Sequence, residues 1–142
     1  MSFSIVIPLY NKQKSIVKTI QSVLMQTYPH YEIIIVDDGS TDNSVNQVKK
    51  LTDSRIRLIQ KHNAGVSSAR NRGIQEAKYE YIALLDGDDV WDEHYLEEQV
   101  KLIHDFPDAK MWGVNYADIC DGNVFPYCQG VASDYRGYVN NY

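Results

Sequence analysis

Glu32-Ile33-Ile34-Ile35-Val36-Asp37-Asp38-Gly39-Ser40-Thr41-Asp42 is the stretch on which the fold turns. Its apolar residues form an unbroken run where a half-solvated strand would alternate, so it reads as a central strand covered on both faces. The run stops on two acids, a glycine and two hydroxyls, which suits a tight turn leading into a helix. Upstream, Ile5-Val6-Ile7 predicts another strand, and Ile16, Val17, Ile20, Val23 and Leu24 follow at helical spacing until Tyr28-Pro29. Downstream, Asp42 or Asn43 can cap a short helix carrying Val45, Val48 and Leu51. Arg55-Ile56-Arg57-Leu58-Ile59 alternates and predicts a more peripheral third strand. A helix from about Val66 to Ala77 follows the Asn63-Ala64-Gly65 loop, and Tyr81-Ile82-Ala83-Leu84-Leu85 predicts a fourth strand. Asp92 can cap the next helix, with Tyr95, Leu96, Val100 and Ile103 on one face, and a fifth strand is expected from Met111 to Tyr116. Short β-branched runs alternating with helical segments specify an α/β fold, a mostly parallel central sheet flanked by helices.

Composition narrows the function classes. The chain has 142 residues, 44% of them apolar, and a formal net charge of -5. That length buries roughly two-thirds of the unfolded surface, enough for a core without staples. The acidic balance excludes a broad nucleic-acid surface. Cys120 and Cys128 stand together near the C-terminus and do not form a spread disulfide framework, so a reducing, cytoplasmic compartment is expected. The opening apolar run is short and broken by Pro8, a strand and not a signal peptide. No run reaches the ~20 apolar residues that cross a bilayer, so membrane contact, such as peripheral association at the cytoplasmic face, is expected through a partner, a segment outside this sequence or a local patch. From Ala117 onward the pattern changes, with Asp121-Gly122 as a hairpin turn and Tyr127, Tyr135, Tyr138 and Tyr142 among polar residues. No terminal helix closes the sheet, so the chain is expected to be a truncated portion of a larger protein.

In open α/β sheets, ligands bind beyond the carboxyl ends of the strands. Three polar clusters occupy those places: Pro8-Leu9-Tyr10-Asn11-Lys12, Asp37 to Asp42, and Asp86-Gly87-Asp88-Asp89. The last packs three carboxylates into four residues, which repel one another unless solvent or a cation screens them. Mg²⁺ takes one or two carboxylates plus substrate phosphates, and Mn²⁺ suits the same ligands. The ordinary alternative is an acidic turn with Asp89 or Asp92 as a helix cap. An EF-hand is excluded, because Val90 and Trp91 fall where a ligand and a glycine are needed. Asp38 can accept hydrogen bonds from a ligand N–H, or serve the turn alone; Tyr10 can stack on a base, or be an ordinary half-buried aromatic. Lys61 to Gly73 concentrates positive charge, including Arg70 and Arg72, near a helix start that can hold a diphosphate or be a solvated helix face.

Taken in order, SIVIPLYNK, IIIVDDGSTD, NAGVSSARNRG and YIALLDGDDVW resemble the N-terminal, nucleotide-sugar-binding half of family 2 inverting glycosyltransferases, over nearly residues 2 to 116. The resemblance implies the GT-A, Rossmann-like nucleotide-diphospho-sugar transferase fold, with residues 1–116 as the nucleotide-sugar-binding domain and 117–142 as the incomplete start of an acceptor-side segment. It implies that Pro8, Tyr10 and Asp38 surround the nucleoside, with Asp38 hydrogen-bonding the base and uridine the usual ligand. Asn11 and Gly87 belong to the same nucleotide-contacting set. Arg70 is placed near the base or diphosphate, Asp86 on the ribose or metal side, and Asp88 on Mg²⁺ or Mn²⁺. The implied reaction moves a sugar from a nucleotide-diphosphate donor, a UDP-sugar by preference, to a saccharide or lipid-linked acceptor hydroxyl with inversion. Bacterial surface polysaccharide assembly is typical of the family. The family's general base lies in an acceptor-side acidic pair that Asp118, Asp121 and Asp134 do not match, so the chain alone is expected to transfer sugar poorly.

Two rivals share the acidic loops. Asp86-Gly87-Asp88-Asp89-Val90 fits the nucleophile motif of haloacid-dehalogenase-like phosphatases, but that motif belongs after a first strand. A receiver-like phosphoacceptor pocket needs its acids after strands one and three, and neither position matches. A dinucleotide-binding Rossmann domain lacks its Gly-x-Gly-x-x-Gly after strand one.

Overall fold

The computed structural model describes residues 1–113, 116–120 and 123–127. Two compact units divide the chain, Met1–Glu97 and Glu98–Tyr142. In the first, β1 (Phe3–Leu9), α1 (Ile16–Leu24), β2 (Tyr31–Asp37), α2 (Ser44–Lys49), β3 (Ile56–Gln60), α3 (Val66–Glu76) and β4 (Tyr81–Leu84) alternate strictly. The four strands form one parallel sheet in the order β3-β2-β1-β4. Every residue of β1 and β2 is buried, which is why neither shows a polar alternation, whereas the edge strand β3 is half-buried and does.

Successive residues of β2 face opposite sides of the sheet. Ile34 and Val36 pack with Ala69 of α3 on one side, together with Ile59 and Ala77. Gly73 lets α3 approach closely: a Cβ there would lie 2.2 Å from Cγ1 of Val6, the register partner of Ile34. On the other side Tyr31 donates its hydroxyl to the Val23 carbonyl of α1 at 2.9 Å, and the stripe Ile16, Ile20, Val23 is fully buried. At the opposite end of the sheet from the acidic loops, buried Glu32 accepts from Ser4 Oγ at 2.8 Å and from the Lys78 amide at 2.8 Å, and pairs with Arg57 at 3.2 Å.

Of the two cap candidates for α2, Asp42 takes the bond, its Oδ1 accepting from Ser44 N at 2.9 Å, while Asn43 makes no side-chain cap. Asp92 performs the expected service for α4 (Tyr95–Asp105), accepting from His94 N at 2.9 Å. The second unit carries the antiparallel pair β5 (Tyr116–Cys120) and β6 (Asn123–Tyr127). Here one expectation is corrected: no strand forms over Met111–Gly113, and β5 starts at Tyr116. Met111 is 87% exposed, and the Trp112 indole donates to the Phe106 carbonyl at 3.2 Å, so these apolar residues bury no strand face. The hairpin turn expected at Asp121-Gly122 and the tyrosines Tyr135, Tyr138 and Tyr142 lie outside the described residues. Among the described residues no helix is long and apolar enough to cross a membrane.

Candidate functional site

Because β1 lies between β2 and β4, the loop after β1 is flanked by the two acidic loops, and all three meet at the carboxyl edge of the sheet. They line a cavity of about 500 Å³ whose wall includes Pro8, Tyr10, Lys12, Asp38, Asp86 and Asp88. Backbone bonds weld the strand ends that carry them: Asp38 N donates to Leu9 O at 2.8 Å, Lys61 N to Asp37 O at 2.9 Å, and Leu85 N to Val6 O at 3.1 Å.

Asp37 and Asp38 are both buried and divide the work. Asp37 accepts from Ser40 N at 3.0 Å, closing the turn, and from Gln60 Nε2 at 3.4 Å. Asp38 faces the cavity and is cradled from the Asn63-Ala64-Gly65 loop, with Ala64 N on Oδ1 at 3.0 Å, Gly65 N on Oδ2 at 2.7 Å, and the Lys61 ammonium on Oδ1. Burial pushes this carboxyl up, but Lys61 and the two backbone donors outweigh it and hold Asp38 below the usual carboxylate range. A carboxylate has about four acceptor positions, so with two donors on Oδ1 and one on Oδ2 a single place remains, on Oδ2. The cradle requires glycine twice. Gly65 has φ 89° where the loop enters α3, and Gly39 has φ 77° where the turn passes 3.0 Å from Asn63 N, measured from the position of an added Cβ.

Asn11 is a strut between loops. Held at φ 52°, it donates its amide N–H to Ser40 Oγ at 3.0 Å while its Oδ1 accepts from Thr41 N at 2.8 Å and Asp42 N at 3.3 Å. It is absent from the cavity wall, as is Arg70. Tyr10 stands in the wall and is 47% exposed.

The loop after β4 is built in the opposite manner. Asp86 is paired with Arg70 at 2.6 Å and Asp88 with the Lys12 ammonium, both acids being about half exposed. The Arg70 Nε–H is buried without a hydrogen-bond partner. Gly87 brings this loop against the β1 loop: a Cβ would sit 3.1 Å from Pro8 O, and Ser15 Oγ donates to Gly87 O at 2.9 Å. Among the described residues no three His, Cys, Asp or Glu side chains converge on one point. Asp86 and Asp88 therefore make an incomplete oxygen donor set, which fits a hard divalent ion whose remaining ligands come from phosphate and water.

Of the residues singled out from the sequence, Pro8, Tyr10, Asp38, Asp86, Gly87 and Asp88 line one cavity, and Asn11 and Arg70 do not. Sequence reasoning missed Lys12 as the partner of Asp88, and missed that the Asn63–Gly65 amides serve Asp38. The signal for the second was the Asn-Ala-Gly punctuation before α3; the first pair is 76 residues apart in the chain and had none.

Strand order and acid placement define an open α/β protein with its ligand crevice at the carboxyl ends of parallel strands. The chain belongs to glycosyl transferase family 2, whose family model matches residues 4–140. It is 38% identical over 122 residues to the Escherichia coli UDP-Glc:alpha-D-GlcNAc-diphosphoundecaprenol beta-1,3-glucosyltransferase WfgD, covering 85% of this chain and 48% of that protein. It is similar to S. aureus TarS 1–349 in complex with UDP-GlcNAc, with a TM-score of 0.71 and 28% identity over 75% of this chain and 32% of that one. A third likeness is to the mannosyltransferase PcManGT from Pyrobaculum calidifontis in complex with GDP-Man and Mn²⁺, with a TM-score of 0.67 and 25% identity over 71% of this chain and 32% of that one. The fold is accordingly GT-A, and the phosphatase and receiver readings give way to it. The chain spans less than half the length of the curated relatives it matches.

Proposed function

We propose that this chain is the donor-binding portion of an inverting glycosyltransferase that takes a sugar from a UDP-sugar, with Mg²⁺ or Mn²⁺, and delivers it to a saccharide or lipid-linked hydroxyl. The observation that carries this reading is the meeting of a cradled acid, Asp38, and two open acids, Asp86 and Asp88, around one cavity. Uracil presents one imide N–H, and Asp38 has one acceptor place left for it. Pro8 and Tyr10 line the same cavity as Asp38 and would supply apolar and stacking surface. The UDP-Glc and UDP-GlcNAc in the names of WfgD and the TarS complex favour uridine over guanosine, although PcManGT carries GDP-Man.

Asp86 and Asp88 would hold the divalent ion, whose charge would stabilise the departing nucleoside diphosphate by several kcal/mol. Arg70 steadies Asp86 through their ion pair. The acceptor oxygen attacks the anomeric carbon from the face opposite the diphosphate, and inversion follows. That oxygen needs a base within hydrogen-bond reach. Uracil would take the one acceptor place that the cradle leaves on Asp38, and Asp86 and Asp88 would hold the ion, so none of the three supplies it. We assign the base to the acceptor side that the relatives possess beyond the matched portion, with 1–116 as the donor domain and 117–142 as the start of the acceptor segment.

The test is the thermal midpoint with UDP, GDP, dTDP and ADP, each with and without Mn²⁺. Ligand at about 100 times its dissociation constant adds roughly 2.7 kcal/mol, so a shift with UDP plus Mn²⁺ larger than with the other nucleotides is expected. The same response to all four, or to none, would sink the reading.

A further inference from the structure

Lys12 is the cation of this cavity that the donor reading does not use. Its backbone is fixed in the turn before α1, with its N–H donating to Ser44 Oγ at 2.9 Å and its carbonyl accepting from Ile16 N at 2.9 Å. Its side chain pairs with Asp88, both residues lining the cavity and the pair being 39% and 49% exposed. A strut that merely held the fold would be expected deeper and bonded more than once; the Lys61–Asp38 pair, 21% and 4% exposed and reinforced by two amides, is built that way. The Lys12 pair is open to solvent, where an ion pair is worth little and exchanges readily.

From this contrast we infer that Lys12 is an exchangeable counter-cation that holds Asp88 in the empty site, gives it up when metal and nucleoside diphosphate arrive together, and then turns its ammonium to the diphosphate. The inference rests on the donor-site reading above. Its physical content is a charge balance. Asp86 and Asp88 stand against Arg70 and Lys12, so the empty site is formally neutral. A divalent ion alone would leave the site at plus two and the diphosphate of a nucleotide-sugar, a dianion, alone at minus two, whereas the two together restore neutrality; free UDP carries a further terminal charge and acts in the same direction. Each therefore favours the other, and the coupling is reciprocal. Lys12 sets the size of that coupling, because it competes with the ion for Asp88 while attracting the phosphates. It is a positioning residue for the donor, and no bond forms or breaks at its amine.

Direct binding on the full chain tests this. Free Mn²⁺ is followed by its electron paramagnetic resonance signal with and without UDP, and UDP binding by calorimetry with and without Mn²⁺, for the native chain, Lys12→Met, Lys12→Arg and Asp88→Asn. Lys12→Met is expected to bind Mn²⁺ alone roughly three- to tenfold more tightly and UDP alone more weakly by a similar factor, so that the mutual enhancement shrinks. Lys12→Arg keeps the charge and is expected to keep the native coupling. Unchanged or weaker Mn²⁺ binding by Lys12→Met would overturn the inference, as would an unaltered coupling. If instead Asp88→Asn binds Mn²⁺ and UDP as the native chain does, the donor-site reading itself fails, whatever Lys12 does.

Discussion

The acid after β2 and the acids after β4 are chemically identical and border the same cavity, yet the molecule treats them differently. Asp38 is 3% exposed and receives a lysine and two backbone amides, all fixed by the loop into α3. Asp86 and Asp88 are about half exposed, and each is held by one long, flexible cation. A buried carboxylate must be paired and hydrogen-bonded to be tolerable, and once it is, its position is fixed to within the tolerance of those bonds. An exposed carboxylate retains access to water and can change partners at little cost. The first arrangement suits reading a fixed hydrogen-bond pattern, as on a base. The second suits holding an ion that comes and goes.

The contrast breaks most visibly at Asp38. Asp38→Ala would strand the Ala64 and Gly65 amides and the Lys61 ammonium around a buried gap. A loss of about 3 kcal/mol, and a midpoint lower by roughly 10 °C, is expected in thermal and urea unfolding. A loss below about 1 kcal/mol would show that the cradle is not structural. The glycines follow in size. Gly39→Ala places a side chain at φ 77° and 3.0 Å from a backbone nitrogen, with an expected cost of about 1–2 kcal/mol. Gly87→Ala has ordinary φ and meets Pro8 O at 3.1 Å, and about 1 kcal/mol or less is expected. Equal costs measured by urea midpoint would erase the distinction between a rigid and a yielding loop.

Acid sharpens the same point. Asp38 is held below its unfolded value of about 3.9, so the native state binds that proton less readily than the unfolded chain. Its stabilisation is complete above about pH 4 and is lost as pH falls through the lowered folded value. Asp53, held by Arg55 at about 2, loses its own contribution over the same acid window. Asp38→Asn is expected to flatten the fall of stability below pH 4 while leaving the Asp53 part in place. An acid limb as steep as the native one would refute this account of the cradle.

How much of this was legible in the sequence depends on how far apart the partners are. The strands at Ile5–Ile7 and Glu32–Val36 and the helix from Val66 announced themselves because burial writes its period locally. The acidic loops were placed by the rule that ligands gather at carboxyl ends. What escaped were pairings made by strand order: Lys12 with Asp88, Lys61 with Asp38, and the Asn11 strut. No local pattern states that β1 lies between β2 and β4. The strand expected at Met111 failed for a related reason, because an apolar run without a covering face has nothing to hold it as a strand.

The smallest stability effect carries the most about function. Asp88 is about half exposed and its single described ion pair is with Lys12, so Asp88→Asn removes one screened contact. Folding stability is expected to change by less than about 0.5 kcal/mol, and the amide can still accept a hydrogen bond from Lys12. The UDP and Mn²⁺ stabilisation should nonetheless fall sharply, because the ion loses one of its two carboxylate ligands for a neutral, weaker amide oxygen. The two measurements come from one pair of melting curves, with and without ligands. A variant that melts like the native chain when empty and gains far less from UDP with Mn²⁺ would locate the ion at the open loop. A variant that loses stability when empty would make Asp88 a structural acid like Asp38, and the division between the two loops would fall.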